Sequence, residues 1–456
     1  MLKHFSHLNT AVQLLEQYRG EMPFSIFAKS FFAQHKKYGS KDRKRIAHLC
    51  YCYFRLGQSL QTLPKEERVL TGLFLCSAHP DELLQHARPE WNAQIGSTID
   101  EKISVLNQSG IHFSIQDIFP WKSELSEGID HEAFCRSFLV QPDLFLRLRP
   151  GQESNVREKL RRGGISFTAI SPTCVSLPNT SKIDEVIALD SEAVVQDLNS
   201  QNTGSFFAAN FSAQVHQEGT FPPKTDLGQA NQTVAKKGIF AERGESFQTS
   251  LSAWDCCAAS GGKSILAYDL LPGIQLTVSD IRESIIQNLK ARFARAGVKN
   301  YRALVIDLAT GGNRPFREPG AGLTPDISSP NSRTDFQKPV GRGDALDISS
   351  TGFDLIICDA PCSGSGTWSR TPEQLAFFHP DRIEQYAVLQ KTILSNIIPH
   401  LAKNGRLVYI TCSVFKKENV DAVDFIRDKF SLQPERMEVL KGYDQKADTL
   451  FAASFT

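Results

Sequence analysis

Along this 456-residue chain the spacing of hydrophobic positions changes rhythm. In residues 1–135 apolar side chains return every three to four positions, over 8–18 and again over 46–56, and the run 69–78 is apolar enough for a buried helix. That spacing predicts an all-helical region. From Phe138 apolar and polar residues alternate; LVQPDLFLRLRP closes on Pro150 and reads as a strand entering a small α+β segment over 136–198. A short helix is expected at 156–160, and short strands at 165–169 and 174–177.

Residues 251–456 carry a regular series. Apolar strands at 252–256, 275–279, 302–306, 353–358 and 406–410 alternate with helical patterns beginning near 264 and 281 and running over 382–401 and 418–430. In the second of these helices Ile281, Ile285, Leu289 and Phe293 are expected on one face, and Asn404-Gly405 is expected to stop the third. Short strands near 437–440 and 450–454 could form an antiparallel edge. This order predicts an α/β fold, a Rossmann-like doubly wound and mostly parallel sheet. Two polar stretches interrupt the pattern, 199–250 and 310–350, the second repeating DISS; both read as insertions without regular elements.

Composition changes this picture little. With 41% apolar and 22% charged residues and a net charge of +1, the chain has a globular composition, and a nucleic-acid surface must come from local clustering. The clearest cluster is Lys36, Lys37, Lys41, Arg43, Lys44 and Arg45, between the first two helical patterns. It is either a solvated helix end or a patch that contacts phosphates. The ten cysteines include no C-x-x-C pair, which argues against a zinc site, and no metal is expected. No run of about 18 apolar residues is available to cross a membrane. A reducing cytoplasm, no membrane partner and a monomer are the expectations.

The chemistry sits where strands end. Strand 353–358 finishes in Asp359, followed by Pro361 and Cys362; strand 406–410 finishes in Thr411, Cys412 and Ser413. In a parallel sheet such ends deliver polar groups into the ligand crevice. After the first strand, DCCAASGGKS (255–264) is neither a dinucleotide nor a Walker pattern. Its small residues would let a ligand approach the backbone, and the following helix N-terminus favours a carboxylate or phosphate. Asp280 ends the next strand, placed to accept from ribose hydroxyls, and Asp307 ends the third, placed for an adenine amino group. Together these point to S-adenosylmethionine. A methyl cofactor explains the thiols, because carbon 5 of a pyrimidine becomes nucleophilic only after a thiolate adds to carbon 6. An acid must then support nitrogen 3, and Asp359 is placed for it. The residues themselves leave Cys362 and Cys412 interchangeable as nucleophile.

The set CCAASGGKS, Ser279-Asp280, Ile306-Asp307, DAPCSGSG, YITCSV and Glu418-Asn419 resembles the bacterial RNA cytosine-5 methyltransferases of the Fmu/Sun type, RsmB-like and related to the NSUN enzymes. The resemblance runs from about 138 to 456. It implies that Cys412 is the nucleophile, that Cys362 resolves the covalent adduct, and that Asp359 serves the ring. It also implies a cofactor site at Cys257, Ala258, Ala259, Ser260, Gly261, Gly262, Lys263, Asp280, Asp307 and Asp359. Lys263 could face either the cofactor carboxylate or the reacting base. The turn departs from the family's A-A-P-G-G-K at Ser260, which is expected to loosen it without removing a donor. The helical region resembles a NusB-type RNA-binding domain, which would make the basic cluster an RNA contact. The implied partner is RNA, small-subunit ribosomal RNA first and transfer RNA as an alternative. A non-catalytic assembly factor is a reading of another class, and two intact strand-end thiols count against it. An amino-methylating enzyme would instead present an Asn/Asp-Pro-Pro-aromatic turn where this chain has DAPC.

Overall fold

The computed structural model describes residues 3–207, 251–310 and 352–456; the DISS repeats and most of both polar stretches lie outside the described residues. The chain opens with helices α1 (Lys3–Gln17), α2 (Phe24–Gln34), α3 (Ser40–Arg55), α4 (Lys65–Cys76), α5 (Glu82–Ala87), α6 (Pro89–Ala93), α7 (Ile99–Gln108) and α8 (His131–Ser137). α1, α3 and α4 match the three apolar patterns. α2 (FSIFAKSFFAQ) carries too many aromatic residues to show a clean face, and it buries Phe24, Phe31 and Phe32.

A four-stranded antiparallel sheet follows, in the order β2-β3-β1-β4, built from β1 (Leu144–Leu148), β2 (Thr168–Ser171), β3 (Cys174–Leu177) and β4 (Ala193–Val195). Helix α9 (Glu153–Arg162) covers it through Val156 and Leu160. The polar stretch expected from 199 begins differently. Asp197 caps a short helix α10 (Leu198–Asn202) by accepting the Asn199 N–H at 2.9 Å, and a 3-10 turn then buries Phe206 and Phe207. Asn, Gln and Ser hide such an element from periodicity, because the local cap and the two phenylalanines decide it.

The second sheet has seven strands: β5 (Ser252–Asp255), β6 (Gln275–Asp280), β7 (Tyr301–Val305), β8 (Phe353–Asp359), β9 (Leu401–Thr411), β10 (Pro434–Leu440) and β11 (Leu450–Phe455). Their spatial order is β10-β11-β9-β8-β5-β6-β7. The five strands from β9 to β7 run parallel, and β11 and β10 complete an antiparallel edge. Helices α11 (Gly262–Leu270), α12 (Glu283–Ala296), α13 (Pro372–Phe377), α14 (Asp381–Ile397) and α15 (Val420–Phe430) complete this part. The doubly wound, mostly parallel architecture is therefore present, with its switch point between β5 and β8.

Two local expectations change. α12 starts at Glu283 and buries Ile286, Leu289, Phe293 and Ala296, so Ile281 precedes the helix. α14 gives way to a 3-10 turn before 401, and Asn404-Gly405 lies inside β9 beside a register shift against β8. Asn404 takes a positive φ of +66°, and an Asn-Gly pair suits a bulge as well as a helix end, so the sequence could not separate the two.

The hydrophobic core does not stop at residue 135. One cluster runs from Leu8 and Phe54 through Phe119 and Phe138 to Trp368, Leu375, Val414 and Phe415. Phe119 stacks on Phe415 with centroids 5.6 Å apart, and Trp121 packs edge-on against Phe378 at 5.0 Å. The Ser126 N–H donates to Val414 O at 2.8 Å. The segment before α8 is thereby seated on the loop that follows Cys412.

Candidate active site

Adjacent parallel strands bring the two motifs together. Asp359 of β8 pairs in register with Ile410 of β9, so the residues just beyond, Cys362 and Cys412, meet above the sheet. Their sulfurs are 3.2 Å apart and both thiols are partly exposed. Contact with Cys412, and then burial, pushes the Cys362 thiol well above its usual range, which favours its protonated form. Gly366 permits this geometry. Its N–H donates to Cys412 O at 2.9 Å, and a Cβ there would lie 1.8 Å from Thr449 O.

Lys263, in the first turn of α11, reaches across the switch point and donates to Asp359 Oδ2 at 2.7 Å. Burial lowers the pKa of this ammonium, but Asp359 beside it, with Cys412 and Asp255 also acting, more than offsets the loss and holds it above its ordinary value. Of the two roles open to Lys263, the structure places it on the side of Asp359. Beneath it Asp255 is fully buried and accepts from the Ser264 hydroxyl, while its other oxygen has no hydrogen-bond partner among the described residues. Burial pushes the Asp255 carboxyl up to about 7.

The turn 257–262 follows β5. Ala259 and Gly261 take positive φ, +45° and +82°. A side chain at Gly261 would also strike Phe293 of α12 at 2.7 Å, so this glycine serves helix packing as much as ligand approach. Gly262 has only Arg292 within 4 Å of its would-be Cβ. The expected loosening at Ser260 is countered locally, since Arg292 Nη1 donates to the Ser260 hydroxyl at 3.1 Å and to its carbonyl at 3.2 Å.

Beside the turn lies a cavity of about 230 Å3 whose lining includes Cys257, Asp280, Ile281, Ile306, Asp307 and Pro361. Asp280 is 7% exposed and is held by its neighbour, accepting from Arg282 N at 2.9 Å and Arg282 Nε at 3.1 Å. Asp307 accepts from Ala309 N at 2.9 Å and from the Thr310 hydroxyl at 2.6 Å. Two buried acids on successive strand ends, around a largely apolar slot and next to a glycine turn, suit a nucleoside with a charged tail. Cys257, Asp280 and Asp307 line this slot; Ala258, Ala259, Ser260, Gly261 and Gly262 form the adjacent turn; Lys263 and Asp359 pair with each other across the switch point.

The basic cluster lies elsewhere, on the α2–α3 loop and the start of α3. Lys36, Lys37, Lys41, Arg43 and Lys44 are exposed, whereas Arg45 is paired with Asp81 at 2.6 Å. Sequence reasoning gave no role to Gln390, Ser363, Ser413 or Asp255, and quoted Glu418 and Asn419 only as part of a motif. The one available signal was two polar residues six and seven positions after Cys412, at the expected start of a helix, and both prove fully buried.

Among the described residues no group of three or more His, Cys, Asp or Glu side chains could hold a metal, and no helix is long and apolar enough to cross a membrane. A family model described as 16S rRNA methyltransferase RsmB/F matches residues 333–450. Similar curated proteins include the ribosomal RNA small subunit methyltransferase B of Photorhabdus laumondii, 31% identical over 169 residues that cover 37% of this chain and 32% of the relative. The protein of the same description from Shewanella oneidensis is 26% identical over 242 residues, covering 49% of this chain and 48% of its own. The match thus spans between a third and a half of the relatives' length. Among solved structures, the crystal structure of PH0851 superposes with a TM-score of 0.56 at 16% identity, covering 98% of this chain and 96% of the other, which bears on the fold alone.

Proposed function

We propose that this chain, which carries an RsmB/F-type methyltransferase domain, transfers a methyl group to carbon 5 of a cytosine in RNA through a covalent bond to Cys412. The observation that carries the reading is the approach of two thiols to 3.2 Å on neighbouring strand ends, beside the Lys263–Asp359 pair and next to a nucleoside-sized slot. The family match and the relatives' description as ribosomal RNA small subunit methyltransferases support small-subunit ribosomal RNA as the substrate.

Held in the slot by Asp280, Asp307 and the 257–262 turn, S-adenosylmethionine would supply an electrophilic methyl group. The residues of this chain do the rest. The target base must leave its stack to reach the crevice. Cys412, as thiolate, forms a sulfur–carbon bond at carbon 6. The ring electrons are thereby released toward carbon 5, while Asp359 hydrogen-bonds nitrogen 3 and Lys263 steadies Asp359. Once carbon 5 carries the methyl group its proton passes to water, and the electrons of that C–H bond re-form the 5,6 double bond. The bond to carbon 6 then breaks and the Cys412 thiolate is regenerated. Cys362, 3.2 Å from the departing sulfur, is placed to donate a hydrogen bond from its thiol to that sulfur as the bond to carbon 6 breaks. The exposed cluster Lys36, Lys37, Lys41, Arg43 and Lys44 would hold RNA phosphates, giving affinity that falls with salt.

The test is bisulfite sequencing of ribosomal and transfer RNA from cells with and without the gene. The expected result is one cytosine whose protection disappears on deletion, returns with wild type, and stays absent with Cys412→Ala. An unchanged cytosine profile would overturn the assignment.

A further inference from the structure

Glu418 lies in the 3-10 turn after Cys412 and is 0% exposed. Its Oε2 accepts the backbone N–H of Ser363 at 2.7 Å, and its Oε1 accepts the hydroxyl of Ser413 at 2.9 Å. Ser363 follows Cys362 and Ser413 follows Cys412, so one carboxyl group grips both thiol-bearing loops a single residue beyond each sulfur. The grip is braced from behind. Gln390 of α14 donates to Glu418 Oε2 at 3.3 Å and to Pro361 O at 3.0 Å, and the Tyr409 hydroxyl donates to Glu418 O at 2.7 Å. Asn419 holds the same turn from its other side. Its Oδ1 accepts from the Thr411 hydroxyl at 2.6 Å, and its Nδ2 donates to Ser413 O and Ser126 Oγ, each at 2.9 Å.

A buried acid is a costly way to fill space. Glu418 has no cation partner among the described residues, and burial pushes its carboxyl above the ordinary range. An apolar side chain would pack there at lower cost, but it could not accept from two loops at once. We infer that Glu418 is a positioning residue for the thiol pair: its two oxygens hold Ser363 and Ser413 and so set the approach of Cys362 to Cys412, while Asn419 ties that turn to the segment at 126. The inference deepens the proposed methyl transfer and rests on it for its kinetic consequence, though not for its geometry.

Geometry also says which substitutions discriminate. In Glu418→Gln the amide oxygen can still accept the Ser363 N–H. The amide N–H can donate to the Ser413 hydroxyl, which accepts as readily as it donates. Glu418→Ala loses both contacts.

Two readouts on the full chain test the inference. The first is steady-state methyl transfer. Misplacing reacting groups by about 1 Å costs up to ~100-fold, so Glu418→Ala is expected to lower kcat about 30-fold, with KM for S-adenosylmethionine within about twofold and Glu418→Gln within about threefold of wild type. The second needs no activity: diamide, a diazene oxidant, drives the Cys362–Cys412 disulfide, located by peptide mapping. Two S–H bonds break, one S–S bond forms, and diamide takes up two electrons and two protons to become the hydrazine. That rate should fall about tenfold in Glu418→Ala and recover in Glu418→Gln, because it depends on sulfur–sulfur approach. Should Glu418→Ala fail to fold, Ser413→Ala removes one grip alone and is expected to slow both readouts about threefold. Wild-type rates in Glu418→Ala or Ser413→Ala, or a Gln variant as impaired as Ala, would overturn the positioning role. Absence of methyl transfer by wild type defeats the proposed function, while the cross-linking rates still judge Glu418.

Discussion

The carboxyl ends of β8 and β9 and those of β6 and β7 open on the same side of one sheet, yet they are held by different means. Around Cys362 and Cys412 the partners come from far along the chain: Ser126, Gln390, Glu418 and Asn419 converge on two loops that begin 50 residues apart. Around Asp280 and Asp307 every carboxylate partner among the described residues lies within three positions: Arg282, Ala309 and Thr310. The thiol side is therefore tied by several long-range hydrogen bonds at once. Local ties can be exchanged for a ligand's hydroxyls at small cost, and the Arg282 side chain that pairs with Asp280 is 60% exposed. Under the proposed function, one end would serve bond making, which needs fixed distances, and the other the exchange of a bound nucleoside.

The largest expected effect separates bond breaking from bond making. Cys362→Ala removes the sulfur beside Cys412 and leaves Glu418 in place. We expect turnover to fall about 100-fold or more, with an RNA–protein adduct that survives denaturing electrophoresis, because loss of an acid–base group commonly costs ~10²–10⁴. Unimpaired turnover without adduct would break the division of labour between the two thiols.

A smaller effect is expected on the other side. Asp280→Ala should raise KM for S-adenosylmethionine about tenfold or more, the cost of losing charge-assisted hydrogen bonds, while kcat at saturating cofactor stays within about threefold. A fall in kcat with unchanged KM would mean that Asp280 acts on the chemistry and that the contrast is drawn in the wrong place.

The smallest effect concerns Asp255, which lies between the two. Its carboxyl titrates near 7 in the folded chain because it is buried, against an ordinary value near 4. Between those values the folded chain keeps a proton that the unfolded chain releases. This group's contribution therefore makes stability fall as pH rises from about 4 to about 7, and the loss levels off above that. Asp255→Asn removes the titration. Its melting temperature should drop less than that of wild type between pH 5 and pH 8, by about 2 °C. Parallel curves would show that Asp255 remains ionised, satisfied by Lys263.

How much of this was legible follows from range. The alternation of strands and helices from 251 onward is a local pattern, and so are the acids and thiols at strand ends; the parallel sheet, the antiparallel edge and the strand-end crevice could be read from them. α2 was missed because its aromatic run blurs the 3.6-residue period, and α10 because a local cap and the burial of Phe206 and Phe207 decide it. Glu418 and Asn419 stood in plain view in the motif, but their role depends on Ser363 and Ser126, 55 and 293 residues away.

By itself, the sequence determined which residue types stand at the ends of which strands, because hydrophobic periodicity and turn chemistry act over a few residues. Tertiary structure alone decided that two sulfurs 50 positions apart meet at 3.2 Å, that Lys263 faces Asp359, and that one buried carboxyl spans both thiol loops. Those facts depend on strand order and on the packing of the 111–135 segment against the sheet. Such contacts are chosen by the free energy of the whole core, and no short window of sequence contains it.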